Sequence, residues 1–340
     1  MAADLTPTLK TLLGHRSLTA EESREAFTAM MSGEASEAEM GALLALLASR
    51  VPTSEELLGA ARVMREFVDR VPSKTDPEKL VDTCGTGGAP KTFNVSTAAA
   101  LVAAGAGAHV AKHGNRSRTG RGSAEVLKGL GVNVDAGRDT QAACLDEARI
   151  CFCFAIHHHP AIKNVMPVRM ALGVPTIFNL LGPLTNPAGA KRQLLGVYDA
   201  RFQQPMAGAL RELGTSRAIV MHSEDGLDEL SISAPTRLVH VTPEGTHTET
   251  IAPEDVGLKR APREEVVARD LDHAVALVRN VLDGTEQGPP RDMTLLSAGA
   301  ALLVAGESDT LADGVQLARE TLDTGRAQKT LENLVARSAS

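Results

Sequence analysis

The stretch LVDTCGTGGAPKTFNVSTAAALVAAGAGAHVAKHGNRS, Leu80 to Ser117, decides the fold. It opens on a buried strand, Leu80–Thr83, breaks at the glycine cluster Gly85–Gly88, resumes as a small-residue helix over Ser96–Gly105, and returns to a strand at His109–Lys112. Strand, crossover helix and strand make a parallel pair. Side-chain-poor segments, GTGG with FNVST and then KHGNRS, therefore fall where neighbouring strands end, and open α/β sheets bind ligands there. A phosphorylated small molecule is the ligand expected.

Outward from this unit the alternation continues. Ser123–Leu130 and Thr140–Arg149 carry helical spacing, Ile150–Ile156 is a third buried strand, and Arg192–Tyr198 and Arg217–His222 read as strands around a helix over Phe202–Leu213. Arg237–Val241 and His247–Ile251 suggest a hairpin, and residues 271–340 are mainly helical. Upstream, Thr19 with Glu22, Ser36 with Glu39 and Thr53 with Glu56 spell capping boxes before apolar stripes, so residues 1–70 form a helical unit. Those stripes must pack on each other, on a later segment or on a second subunit.

The polar run Val71–Lys79 separates the two periodicities and is a linker and candidate hinge. Pro160–Leu172 looks helical despite Pro167, and residues 174–190 are too rich in Pro, Gly and Asn for a regular element. Segment 160–187 is thus a crossing that joins the helical domain, leaving 80–159 and 188–340 as the α/β domain. The class is α/β: a small N-terminal helical domain beside a large domain with a mainly parallel central sheet.

Composition narrows the function. The 340 residues are 43% hydrophobic and 23% charged, a folded composition. A net charge of −7, no Trp and one Tyr argue against nucleic-acid binding, which needs clustered cations and stacking rings. The longest apolar stretch, Ala98–Ala108, falls far short of the ~20 residues of a membrane span, and the N-terminus lacks a basic apolar signal. Cys84, Cys144, Cys151 and Cys153 show neither framework spacing nor a CxxC pair, so reduced thiols in a cytoplasmic core are expected.

Several motifs carry chemistry and also a plainer reading. GTGG offers backbone N–H groups to an anion, or is a tight turn. Asn94, Ser96 and Thr97 crowd a helix start, where they cap it or bind phosphate and a metal's water shell. Lys112, His113 and Asn115 set donors beside Gly114 and are hard to explain by packing. The loop Arg116–Ser123 is a second anion cradle, a mobile lid or a solvated basic turn. Asp228 and Glu229 hold Mg²⁺ or form a solvated face, and Arg169 grips a carboxylate or pairs across domains. Three consecutive histidines, His157–His159, cannot all face one ion.

In their order, DTCGTGG, TFNVST, KHGNRS, GSAEVLKGLGV, HHPAIKNVMPVR, FNLLGPLTNPA and the late Asp228–Glu229 pair resemble the anthranilate phosphoribosyltransferase family of tryptophan biosynthesis, over nearly the whole length. The resemblance implies a nucleoside phosphorylase/phosphoribosyltransferase-like fold and a homodimer through the helical domains. It also implies transfer of a phosphoribosyl group to anthranilate without a covalent intermediate, by positioning and electrostatics rather than a dedicated catalytic side chain. Phosphoribosyl pyrophosphate falls to Gly85, Thr86, Gly88, Thr92, Asn94, Ser96, Thr97, Lys112, Asn115 and Ser123. Anthranilate falls to Gly85, His113, Asn115, His159, Arg169 and Gly182, with Arg169 facing its carboxylate. Mg²⁺ falls to Ser96, Asp228 and Glu229.

Two departures stand out. Ala89 and Pro90 follow GTGG where the family has an acidic residue, so one metal-shell carboxylate is missing and the turn is shorter. The basic loop reads RTGRGS in place of a longer, serine-rich version, which alters the contacts of Thr119, Gly120 and Arg121. Rival readings are a pyrimidine nucleoside phosphorylase, against which KHGN and FNLLGPLTNPA stand, and a nucleic-acid-binding paralogue, which the acidic charge disfavours.

Overall fold

The computed structural model describes residues 3–117 and 120–340. Four helices come first, α1 (Thr6–Leu13), α2 (Ala20–Ser32), α3 (Glu37–Ala48) and α4 (Ser54–Glu66). The last three start on the three capping boxes: Thr19, Ser36 and Thr53 accept the N–H of Glu22, Glu39 and Glu56, whose carboxylates accept the cap residues' own N–H. Glu56 goes further, accepting the Leu18 N–H at 2.8 Å and pairing with Arg50, so one buried carboxylate fixes both the start of α4 and the approach to α2.

The strands are β1 (Leu80–Gly85), β2 (His109–Gly114), β3 (Ile150–Phe154), β4 (Arg192–Gly196), β5 (Arg217–Ser223), β6 (Thr236–Thr242) and β7 (Gly245–Ile251). They lie in the order β3-β2-β1-β4-β5-β6-β7, parallel from β3 to β5 and antiparallel beyond. The crossover helix α5 (Val95–Ala106) joins β1 to β2, and α6 (Ser123–Gly129) and α7 (Arg138–Ala148) join β2 to β3. Strand order therefore runs outward from β1 through β2 and β3, then restarts on its other side at β4. Such a reversal opens a crevice at the carboxyl ends of the two central strands.

Between β3 and β4 the chain forms α8 (Ala155–His158), α9 (Met166–Leu172) and α10 (Phe178–Leu181), with 3-10 turns at Pro160–Asn164 and Gly182–Leu184. Three expectations change here. Pro160–Leu172 is a turn followed by α9, with Pro167 in the first helical turn, where its missing N–H leaves no bond unmade. Residues 174–190 contain the one-turn helix α10. β3 stops at Phe154, so His157 and His158 stand on α8 and not at a strand end.

Helix α11 (Gln203–Glu212) follows β4, and α12 (Leu271–Leu282), α13 (Pro289–Ala305), α14 (Leu311–Asp323) and α15 (Arg326–Ser338) close the chain. Alternation along the strands feeds two cores. Leu194, Ile219 and Met221 join α5 and α12–α15 on one face of the sheet. Leu195, Ala218 and Val220 join α11 on the other, in a cluster that continues to Phe27, Leu43 and Leu57 of the first helices. Gly208 lets α11 lie close to α4: a Cβ there would stand 2.3 Å from Ser54 Oγ.

The linker is pinned at its middle. Asp146 on α7 accepts the Ser73 hydroxyl (2.5 Å), the Lys74 N–H (3.1 Å) and both the N–H and hydroxyl of Thr75 (3.1 and 2.8 Å). The four cysteines are buried and form no disulfide. No helix among the described residues is long and apolar enough to cross a membrane.

Candidate active site

Gly85 ends β1 and pairs with Gly196, which ends β4. Asp228 fits over this pair only because both are glycines: a Cβ on Gly196 would lie 1.7 Å from the Asp228 carbonyl oxygen, and one on Gly85 2.9 Å from Asp228 Oδ2. Gly87 and Gly88 follow at φ +64° and +98°, a region that side chains resist, and the Gly87 N–H donates to the Asp228 carboxylate. Thr86 serves the fold itself. Its N–H donates to Gly196 O at 2.9 Å and its hydroxyl accepts the Tyr198 N–H at 3.1 Å, clasping the turn to β4.

Asn94, at φ +69°, stands at the N-cap position of α5 with no side-chain bond to the helix, and donates from Nδ2 to Arg121 O at 3.2 Å. The Ser96 N–H donates to Glu229. Lys112 reaches the same helix start: its Nζ lies 2.6 Å from Thr83 O and 3.4 Å from Ser96 Oγ, with the residue 3% exposed. Thr97 is buried, and its hydroxyl has no hydrogen-bond partner among the described residues, a state buried hydroxyls rarely keep. Thr92 is buried nearby in sequence.

The end of β2 completes this side. A Cβ on Gly114 would meet Ser123 Oγ at 2.3 Å, so the glycine allows β2 to abut the first residue of α6, and exposed Asn115 follows it. In the basic loop Arg118 and Thr119 lie outside the described residues, Gly120 donates its N–H to Ser117 O, and the Arg121 guanidinium donates to Ala268 O.

Charge in the cleft is balanced unusually. Asp228 and Glu229 are both partly exposed. Burial raises the Asp228 carboxyl above its usual range, and burial together with the Asp228 charge raises Glu229 to about 8. Burial lowers Lys112. Among the described residues no group of three or more His, Cys, Asp or Glu side chains is placed to hold an ion. Two carboxylates with the Ser96 hydroxyl nonetheless suit Mg²⁺, which takes few protein carboxylates and completes its shell with water and phosphate oxygens.

Of the remaining predicted residues, His113, His159 and Gly182 meet at the end of β2. His159 Nε2 stands 3.3 Å from His113 Nε2, and the His113 ring donates to the Gly182 carbonyl. Burial pushes both imidazoles down, His159 to about 4, so both are neutral at pH 7. Arg169 lies on α9 with its guanidinium 5.0 Å from the Phe178 ring centroid, and Phe178 opens the short helix that runs into Gly182. The other histidines point elsewhere: His158 bonds Asp69 O and Gln141 Oε1, and His157 bonds Asp135.

Three neighbours of the site escaped the sequence reading. Asp82, fully buried in β1, accepts the His113 N–H at 3.0 Å; a carboxylate inside LVDTC was its signal. Tyr198 walls the turn, its ring 3.4 Å from where a Gly88 Cβ would be. Lys91 bridges the two loops and had no distinguishing pattern.

A glycine cradle at a sheet's switch point, faced by paired carboxylates, indicates the class. Residues 77–328 match the α/β domain of a glycosyl transferase family, and residues 6–68 match its helical bundle domain. The anthranilate phosphoribosyltransferase of Thioalkalivibrio sulfidiphilus is 44% identical over 339 residues, 99% of each chain. The crystal structure of the Thermus thermophilus anthranilate phosphoribosyltransferase superposes with a TM-score of 0.91 at 42% identity, covering 98% of this chain and 99% of that one. The Saccharomyces cerevisiae enzyme in complex with PRPP and Mg shares the fold at a TM-score of 0.89 and 24% identity, over 98% of each chain. The chain belongs to the anthranilate phosphoribosyltransferase family.

Proposed function

We propose that this chain transfers the 5-phosphoribosyl group of phosphoribosyl pyrophosphate to the amine of anthranilate, giving N-(5-phosphoribosyl)anthranilate and pyrophosphate, in the tryptophan pathway of the cytoplasm. The observation that carries this reading is the convergence of the glycine turn, the α5 start, Lys112 and the Asp228–Glu229 pair on one crevice between β1 and β4. Gly85, Thr86, Gly88, Thr92, Asn94, Ser96, Thr97, Lys112, Asn115 and Ser123 form the phosphoribosyl pyrophosphate site. The Thr97 hydroxyl, without a partner among the described residues, supports a phosphate oxygen at that helix start.

Ser96, Asp228 and Glu229 would hold Mg²⁺, which supplies Lewis-acid stabilisation to charge leaving with pyrophosphate. The chain's own residues align the reactants. Anthranilate's amine is already a nucleophile, so the N–C bond forms at the anomeric carbon as the C–O bond to pyrophosphate breaks, and the surplus amine proton departs afterwards. Neutral His113 and His159, with Gly85, Asn115 and Gly182, line the amine's approach without an added charge. Arg169 forks onto the anthranilate carboxylate.

The reading includes a homodimer through the helical domain, in which Leu13 on α1, 64% accessible, is one apolar residue available to be covered. Bending between the helical and α/β domains, residues 1–70 with 160–187 against the rest, would exclude water from the crevice. Because Asp146 holds Ser73–Thr75 and His158 holds Asp69 by both its N–H and its carbonyl, the linker 71–79 is tied to the α/β domain on both sides and a pivot would fall before Asp69. Anthranilate fluorescence tests the reaction: it is lost on adding phosphoribosyl pyrophosphate and Mg²⁺ with enzyme, and a signal that persists with all components present refutes the assignment.

A further inference from the structure

Between Gly85 and Asn94 the chain carries one charged side chain, Lys91. Its Nζ donates to Ser117 Oγ and lies 3.5 Å from Arg121 O, the same oxygen that accepts Asn94 Nδ2 at 3.2 Å. These partners are a hydroxyl and a carbonyl, and neither neutralises an ammonium. The group is half-buried, and it feels the positive charge of Arg121 and the negative charges of Glu125 and Asp228. Asp228 feels Lys91 in return.

We propose that Lys91 is a further binding residue for the pyrophosphate end of phosphoribosyl pyrophosphate, a direct cation contributed by the glycine turn in addition to Lys112. The inference rests on the reaction proposed above. Its placement has three parts. Lys91 sits where the glycine turn meets the basic loop, so an anion cradled by both lies within its reach. It is partly stripped of water and, among the described residues, its hydrogen-bond partners are neutral while Glu125 and Asp228 act on it without a direct bond, so an incoming diphosphate supplies the charge-assisted contact that these partners do not. It stands within the field of Asp228, one of the two carboxylates assigned to Mg²⁺ in this reading. With uncharged Ala89 and Pro90 before it, the turn approaches the diphosphate through an ammonium rather than through a carboxylate and an intervening ion.

The competing explanation is mechanical, that Lys91 merely ties residues 117–121 to the turn. Lys91→Gln separates the two, because its amide still donates to Ser117 and Arg121 O while the charge is gone. Titration calorimetry with pyrophosphate and with phosphoribosyl pyrophosphate, each with Mg²⁺, is run on the wild type, Lys91→Gln and Lys91→Arg. Matched melting temperatures establish that the variants are folded. Loss of one charge-assisted contact predicts about tenfold weaker binding of both ligands by Lys91→Gln, with a flatter salt dependence. Lys91→Arg recovers most of the affinity, and the KM for anthranilate stays unchanged. Equal pyrophosphate affinity in Lys91→Gln and wild type overturns the proposal, as does an equal loss for pyrophosphate and anthranilate. A wild type that binds neither pyrophosphate nor phosphoribosyl pyrophosphate overturns the reaction itself, and Lys91's role with it.

Discussion

Loading the Asp228–Glu229 pair with Mg²⁺ and phosphoribosyl pyrophosphate must expel a proton. Glu229 is held at about 8 by burial and by Asp228 beside it. At pH 7 a group of that pKa retains about 0.9 proton, and at pH 9 about 0.1. A metal ligand must be ionised, so the bound proton leaves as the ion arrives. Since the two carboxyls interact, the proton belongs to the pair rather than to one residue. Calorimetry in two non-coordinating buffers of different ionisation enthalpy counts it directly. The expected release is about one proton per site at pH 7 and almost none at pH 9, with apparent affinity rising up to pH 8 and levelling above. Glu229→Gln keeps only the buffer dependence that comes from protons lost by the ligand, so its difference from the wild type counts the proton of the pair. The sign for stability follows: an acid raised above its ordinary 4.5 favours the folded chain while protonated, so this contribution is full below 4.5 and is lost as pH climbs to about 8. Identical buffer dependence at pH 7 and 9, or in wild type and Glu229→Gln, would refute the reasoning.

Other outcomes are equally direct. Arg169→Ala raises the KM for anthranilate by about tenfold, the worth of a charge-assisted contact, and leaves that for phosphoribosyl pyrophosphate near its original value; equal effects remove its assigned role. Gly196→Ala destabilises the fold by about 3 kcal/mol or more in denaturant melts, because its Cβ would meet backbone at 1.7 Å, whereas Gly182→Ala, with no atom within 4 Å, melts like the wild type. If Gly182→Ala also leaves anthranilate kinetics untouched, Gly182 does not line its path. Asp146→Ala frees Ser73, Lys74 and Thr75 and is expected to speed limited proteolysis at the linker, with an unchanged cleavage rate as the contrary result.

Much of this was legible in residue order because local rules and tertiary packing agree. The three capping boxes each begin a helix, since Thr19, Ser36 and Thr53 satisfy backbone donors that nothing else reaches. The strand, glycine turn, helix and strand from Leu80 onward were equally plain, because period and punctuation change together. The crossing after β3 was not, because Pro167 interrupts one pattern only to open another helix. Pairing of β1 with β4 has no local signal at all, and with it went the clasp through Thr86 and Tyr198. His157–His159 illustrate the remaining difficulty: adjacent residues on a tight turn diverge, so one joins His113 while its neighbours bind Asp135 and Gln141.

The apolar layer that runs from Leu195 and Val220 through α11 to Phe27 and Leu57 is unbroken. Separating the two halves of the molecule would wet that layer, so their relative movement is confined to sliding and rolling that keeps oil against oil. Such travel is short, and α10, which lies against α4 and leads into Gly182, rides with it. Small shifts of the N-terminal helices therefore reach the wall facing His113, and variants at the α4–α11 seam, far from any ligand, are placed to tune how snugly the amine meets the sugar.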